Sequence, residues 1–149
     1  MTNPQKNKGD NYERELAKYF NDQVFEGRDI CGRAPLSGGG FVGLSGGADL
    51  IGTTGLFVEA KRVERLNFLD ALRQAERNII KTHAPEAPFV VNRRNRMTTG
   101  ESLVLMRLDG FLPFYRAWLT QEGYLKPKSA PEPEQPFIFN PKSTKNKHP

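Results

Sequence analysis

The segment Leu56-Phe57-Val58-Glu59-Ala60-Lys61 sets two charges inside an otherwise apolar run. Read as a strand, its alternation puts Phe57, Glu59 and Lys61 on one face and Leu56, Val58 and Ala60 on the other. Apolar residues on both faces predict a central strand with a layer on each side. A carboxylate in such a strand is costly unless a cation, a metal or hydrogen-bond donors meet it. That requirement limits both the fold and the chemistry.

A second strand, Ala48 to Gly52, lies just upstream and carries Asp49 among apolar residues. A three-residue loop, Thr53-Thr54-Gly55, with its glycine in the left-handed position, would set Ile51 opposite Phe57 and Asp49 opposite Glu59. Two facing carboxylates repel each other, and a divalent cation between them removes the repulsion. A two-residue loop would shift the register by one and separate the acids. Upstream again, Asp10 to Asp22 has a period near 3.6. Tyr12, Leu16, Tyr19, Phe20 and Val24 fall on one arc of that helix. Glu13 falls inside the arc, which fits a site residue, a buried salt bridge or an edge position, while Arg14, Glu15, Lys18, Asn21 and Asp22 fall outside it.

These acids suit phosphodiester hydrolysis. Mg²⁺ takes hard oxygen ligands and keeps several waters. Asp49, Glu59 and the main-chain carbonyl of Ala60 are the expected ligands, with Mn²⁺ able to substitute. Lys61 shares the face of Glu59 and would orient a nucleophilic water and stabilise developing negative charge. The plain alternative is a cross-strand ion pair on a solvated sheet face. Glu-x-Lys alone is weak, since this composition yields roughly one such triplet by chance. Its apolar strand, the acid ten residues upstream and the preceding Glu13 helix strengthen it.

The remaining sequence fills in an α/β layer fold. The predicted order is helix, three strands, helix, two strands, helix. The first strand is Gly27 to Arg33, and Ser37 to Gly47, with six glycines, is a loop. Asn67 to Lys81 is an amphipathic helix with Phe68, Leu69, Leu72, Ala75 and Ile79 on one side. Pro88 to Asn92 and Leu103 to Leu108 are strands, and Asp109 to Gln121 is a helix. Residues 1–125 form the expected catalytic domain. Residues 126–149 hold six of eleven prolines and five lysines against two glutamates, the composition of a disordered basic tail. The 149-residue chain carries a net charge of +5, which favours a polyanionic partner. With Cys31 alone, no internal disulfide or zinc cluster forms, and Cys31 is expected to fill core. No apolar run spans a bilayer and no signal-peptide pattern opens the chain, so a cytoplasmic, membrane-free protein is expected.

Lys8-Gly9-x-x-x-Glu13-Arg14-Glu15-Leu16, then Asp49, then Glu59-Ala60-Lys61, resembles the PD-(D/E)XK nuclease superfamily. Within it, the opening segment is similar to the archaeal-type Holliday junction resolvases and related phage-encoded endonucleases. The resemblance covers about the first half of the chain, and Ala48 stands where the family name has proline. It implies a restriction-endonuclease-like αβββαβ core with a mixed central sheet flanked by helices. It implies that Asp49 and Glu59 bind Mg²⁺, that Lys61 is catalytic, and that Glu13 belongs to the site. It also implies a homodimer that cuts branched DNA, acting in a host cytoplasm if phage-encoded.

The Arg33-to-Gly40 loop resembles the serine-bearing mobile loop of the resolvases, with Ser37 and Arg33 as phosphate contacts. Lys8, Arg93, Arg94 and Arg96 are expected to meet the DNA backbone. Gln74 is an accessory candidate, since some nucleases of this superfamily place a site glutamine on the helix after the catalytic strand. Trp118 and its neighbours read as core or dimer interface. The expected function is a Mg²⁺-dependent DNA endonuclease of the junction-resolving kind. The alternatives are a flap, nicking or restriction-like nuclease, or a non-catalytic DNA-binding module.

Overall fold

The computed structural model describes residues 3–35 and 47–129. The chain divides into two compact units, Met1–Pro113 and Phe114–Pro149. The division falls inside the last helix, upstream of the boundary expected at residue 125. Ser37, most of the glycine-rich loop and residues 130–149 of the expected tail lie outside the described residues.

The element order follows the periodicities. Helix α1 (Pro4–Val24) starts at the N-cap Asn3, whose side chain accepts from the Gln5 amide, with Pro4 in the first turn. Strands β1 (Gly32–Arg33), β2 (Leu50–Ile51) and β3 (Leu56–Lys61) come next. Helix α2 (Phe68–Thr82) is capped by Asn67 and stops at His83, which adopts φ 52°. It carries the chain across to β4 (Ala87–Asn92), and β5 (Leu103–Leu105) and α3 (Leu108–Gln121) complete the order. Among the described residues no helix is long and apolar enough to cross a membrane.

The strands form two sheets rather than one. In the larger, β4 lies between β3, parallel to it, and β5, antiparallel. The smaller pairs β1 with β2, Gly32 facing Ile51 and Arg33 facing Leu50. Helix α1 covers one face of β3 and β4: Tyr12, Leu16 and Ala17 pack with Val58 and Val91. Helix α2 covers the other face, where Ala75 meets Phe57 and Ala71 and Leu72 meet Val90. Burial on both faces explains why β3 and β4 read as nearly continuous apolar runs. On α2 the buried stripe includes Ala71, whereas Leu69, expected on the apolar side, is 43% exposed.

Asn21 reverses the expectation most clearly. The helical arc put it outside the core, yet it is 8% exposed. Its Oδ1 accepts from the Ile30 and Cys31 amides at 3.1 and 2.7 Å, and its Nδ2 donates to the Cys31 carbonyl at 2.9 Å. Glu26 and Gly27, both at positive φ, turn the chain back toward it. Those bonds replace a ladder for residues 30 and 31, so the strand expected from Gly27 survives only as Gly32–Arg33. Cys31 fills core, at 2% exposure.

Asn21→Ala leaves the buried Cys31 amide and carbonyl without these partners and is expected to cost about 3 kcal/mol. Exposed Asp22→Ala should change stability by less than about 0.5 kcal/mol. Urea denaturation of both variants tests this; equal effects would remove Asn21 from its pinning role.

Candidate active site

The turn between β2 and β3 differs from the expected one. Leu56 N donates to Thr53 O at 2.9 Å, so only Thr54 and Gly55 lie in the turn. This is the two-residue loop, which in a regular hairpin would separate the acids. The hairpin is not regular. Gly52 has φ +79°, and a Cβ there would lie 2.1 Å from the Ile30 carbonyl oxygen, so only glycine fits. Asp49 N donates to Val58 O at 2.9 Å, so Asp49 lies beside Val58 rather than opposite Glu59. Ile51 opposite Phe57 is overturned with it.

The acids nevertheless lie within each other's field, because the chain bends at Asp49, just before β2. Ala48 packs in the α2-side cluster with Phe57, while Leu50 packs in the α1-side cluster with Val58. Residues two apart in a regular strand share a face; here they do not. Asp49 therefore lies along the free edge of β3, and its Oδ2 accepts from the Ala60 amide at 2.7 Å. On the other edge of β3, Lys61 O accepts from Arg93 N. By alternation, the Ala60 carbonyl turns away from β4, toward the edge where Asp49 lies.

From that edge Asp49 interacts with both faces of the sheet. Glu59, 4% exposed, stands on the α2 face with Lys61, whose Nζ lies 2.8 Å from Glu59 Oε1. Glu13 comes from α1 on the other face and is held by Arg33 Nε at 2.5 Å. Arg33 Nη2 holds Asp10 at 2.6 Å. Burial first, then the negative charge of Glu59, pushes the Asp49 carboxyl up to about 7; the Ala60 amide and Lys61 pull against this. Asp10 was missed in the sequence, although it precedes Glu13 by three residues and so shares its helix face.

The expected DNA contacts are placed unevenly. Arg33 turns inward, 16% exposed, with both acids on it. Arg93 is equally enclosed: it bonds Glu15 at 2.6 Å and Thr99 at 3.0 Å, and lies 5.3 Å from the Tyr12 ring centre. Lys8 Nζ donates to Asn95 Oδ1 at 2.9 Å. Arg94 is half-buried with its Nε unpartnered, and Arg96 is exposed at φ 64°. Gln74 is exposed, one turn before Asn78, whose amide lies beside Gly47. A further missed residue is Asn92. Fully buried, it exchanges two hydrogen bonds with the backbone of Val63 and joins the chain leaving β3 to the end of β4.

Asp10, Glu13, Asp49 and Glu59 oppose Arg33 and Lys61, which leaves two negative charges when every acid is ionised. Among the described residues no group of three or more His, Cys, Asp or Glu is spaced to hold a metal. Two carboxylates and the Ala60 carbonyl would make an all-oxygen set leaving positions for water, as Mg²⁺ prefers. No protein-family model matches the chain, and no curated protein or solved structure matches it either.

Because Asp49 is held above its unfolded value, the folded chain binds its proton more tightly than the unfolded chain does. That stabilisation is full below about pH 4 and is lost as pH rises through about 7. In EDTA, Asp49→Asn should therefore gain roughly 3 kcal/mol on wild type between pH 4 and pH 8. Denaturation midpoints at both pH values check this; a pH-independent difference would contradict the raised carboxyl.

Proposed function

We propose that this chain is a Mg²⁺-dependent DNA endonuclease built on a restriction-endonuclease-like core. The observation that carries the reading is the setting of Asp49 at the edge of β3, within the field of the Glu59–Lys61 pair on the α2 face, with uncompensated negative charge. The order α1-β1-β2-β3-α2-β4 supports an αβββαβ core, and the larger sheet is mixed, although β1 and β2 pair apart from it.

In this reading Asp49, Glu59 and the Ala60 carbonyl hold the ion. When bound, the ion supplies Lewis-acid polarisation of a phosphate oxygen and acidifies a water. Lys61 donates toward the attacking water and the developing oxyanion, and its bond to Glu59 fixes it in reach. Glu13, set by Arg33, lies on the α1 side, where its charge helps raise the Asp49 carboxyl and draws a cation to the site. Burial of Glu59 by α2 keeps the dielectric low where charge develops.

The substrate class we propose is branched DNA of the four-way kind, cut by a homodimer, with Mn²⁺ able to replace Mg²⁺. Exposed Arg96 and half-buried Arg94 are the backbone contacts this favours. Two symmetric cuts need two centres, which a two-fold dimer supplies. The favoured interface is the aromatic face of unit 2, where Phe114, Tyr115 and Trp118 are 42–53% exposed and the Tyr115 and Trp118 rings stack at 6.2 Å. A flap, nicking or restriction-like nuclease uses the same site, and a non-catalytic DNA-binding module has no need for the intact Glu59–Lys61 pair.

Incubation with matched four-way, flap and linear DNA, in Mg²⁺ and in EDTA, tests the activity. Mg²⁺-dependent paired nicks across the junction are expected, and Asp49→Asn, Glu59→Gln and Lys61→Ala should each lower the rate by roughly 100-fold or more. Lys61→Ala leaves buried Glu59 unpaired, so melting is read alongside. Equal cutting of all three substrates would remove the junction preference, and full cutting in EDTA would remove the metal.

Sedimentation at micromolar concentration should give twice the chain mass, reduced to one by Trp118→Glu. A wild-type monomer that makes paired nicks would contradict the dimer.

A further inference from the structure

Arg33 was expected to reach for DNA phosphate, and the structure turns it the other way. Its guanidinium lies between two carboxylates of α1, Glu13 on Nε at 2.5 Å and Asp10 on Nη2 at 2.6 Å, and it stays 16% exposed. Its charge also acts on Asp49, and the acids around it hold its proton more firmly than usual. The position follows from the fold: β1 is only Gly32–Arg33, and Arg33 pairs with Leu50, the residue after Asp49. The Ala34 amide donates to the Asp49 carbonyl at 2.8 Å, which fixes Arg33 beside the site from the backbone.

The acids therefore form two sets. Asp49 at the edge of β3 and Glu59 on its α2 face lie within each other's field and share only Lys61 as counter-charge. Asp10 and Glu13 lie on α1 and share one fixed cation. Two-ion hydrolytic sites need carboxylates that reach both ions, and Glu13 is the acid that would serve a second ion here. We infer that Arg33 occupies the place of a second cation, so that each chain binds one divalent ion, at Asp49 and Glu59. Arg33 is a positioning residue: it neutralises Glu13 and Asp10, orients Glu13 toward the Asp49 side, and closes that end of the acid group to metal. The inference rests on the metal-site reading above and goes beyond it by fixing the ion count.

The charge balance agrees. Four carboxylates against Arg33 and Lys61 leave two negative charges, which one divalent ion cancels. Without Arg33 three remain, and a second cation is drawn to Glu13 and Asp10. A guanidinium suits this task better than a lysine, because its planar fork meets two carboxylates at once and stays charged.

Isothermal titration of the full chain with Mn²⁺ tests this without reference to activity. Wild type should bind one ion per chain. Arg33→Gln should bind two, and its melting temperature, lowered without metal, should rise further on adding Mn²⁺ than that of wild type. Arg33→Lys keeps the charge and should stay at one. The double variant Arg33→Gln/Glu13→Gln loses the second site's acid and should return to one, with part of its stability regained. Two ions bound by wild type would overturn the inference even if Arg33→Gln failed to fold. One ion bound by a folded Arg33→Gln would overturn it too, while leaving the Asp49–Glu59 site in place. No ion bound by wild type would remove both the site and the inference.

Discussion

The bond from the Ala60 amide to the Asp49 carboxylate organises the site. In an ordinary hairpin that amide would meet a main-chain carbonyl of the neighbouring strand. Here a side chain takes it, at 2.7 Å, beside the main-chain bond from the Asp49 amide to Val58. The missing main-chain bond is replaced by a charge-assisted one. The gain is position: a carboxylate on a sheet edge lies within the field of groups on both faces. Glu13 on the α1 side and Glu59 and Lys61 on the α2 side would otherwise be separated by the sheet.

Several other features serve that bond. Gly52 lets β2 approach the Ile30 carbonyl, where any side chain would collide. Asn21 pins residues 30 and 31 to the end of α1, which places Gly32–Arg33 against β2. Arg33 then balances the acids of α1 beside Asp49. Each link is short in space and rests on one residue, so the site depends more on these polar contacts than on the apolar layers. The layers hold β3 and β4 in place, and the polar contacts hold Asp49 to β3.

The sequence conveyed different parts unequally. The two apolar strands and the amphipathic α2 were legible because periodicity reports burial, and both β3 and β4 are covered on two faces. Glu59 and Lys61 stood out because charge inside an apolar strand is costly. The register was not legible, since it turned on Gly52, whose positive φ and close neighbour are tertiary facts. Alternation also assumed that β2 stays regular through Asp49, and the bend there moved the acid from a face to an edge. Asn21 was misplaced because a helical arc cannot show a strand returning to bond its side chain. Asp10 and the inward turn of Arg33 were hidden for a related reason. A surface arginine and an inward one look alike in sequence, and only the placement of β1 decides between them.

The central claim is that Asp49 and Glu59 share one divalent ion with the Ala60 carbonyl. Anomalous diffraction from crystals soaked in Mn²⁺ tests it most directly, because it locates the ion without relying on turnover. One peak per chain is expected, within bonding distance of Asp49 Oδ1, a Glu59 carboxylate oxygen and the Ala60 carbonyl oxygen, and lost in Asp49→Asn. A peak bound by Glu13 and Asp10 instead, or no peak at Asp49 and Glu59 at saturating Mn²⁺, would contradict it.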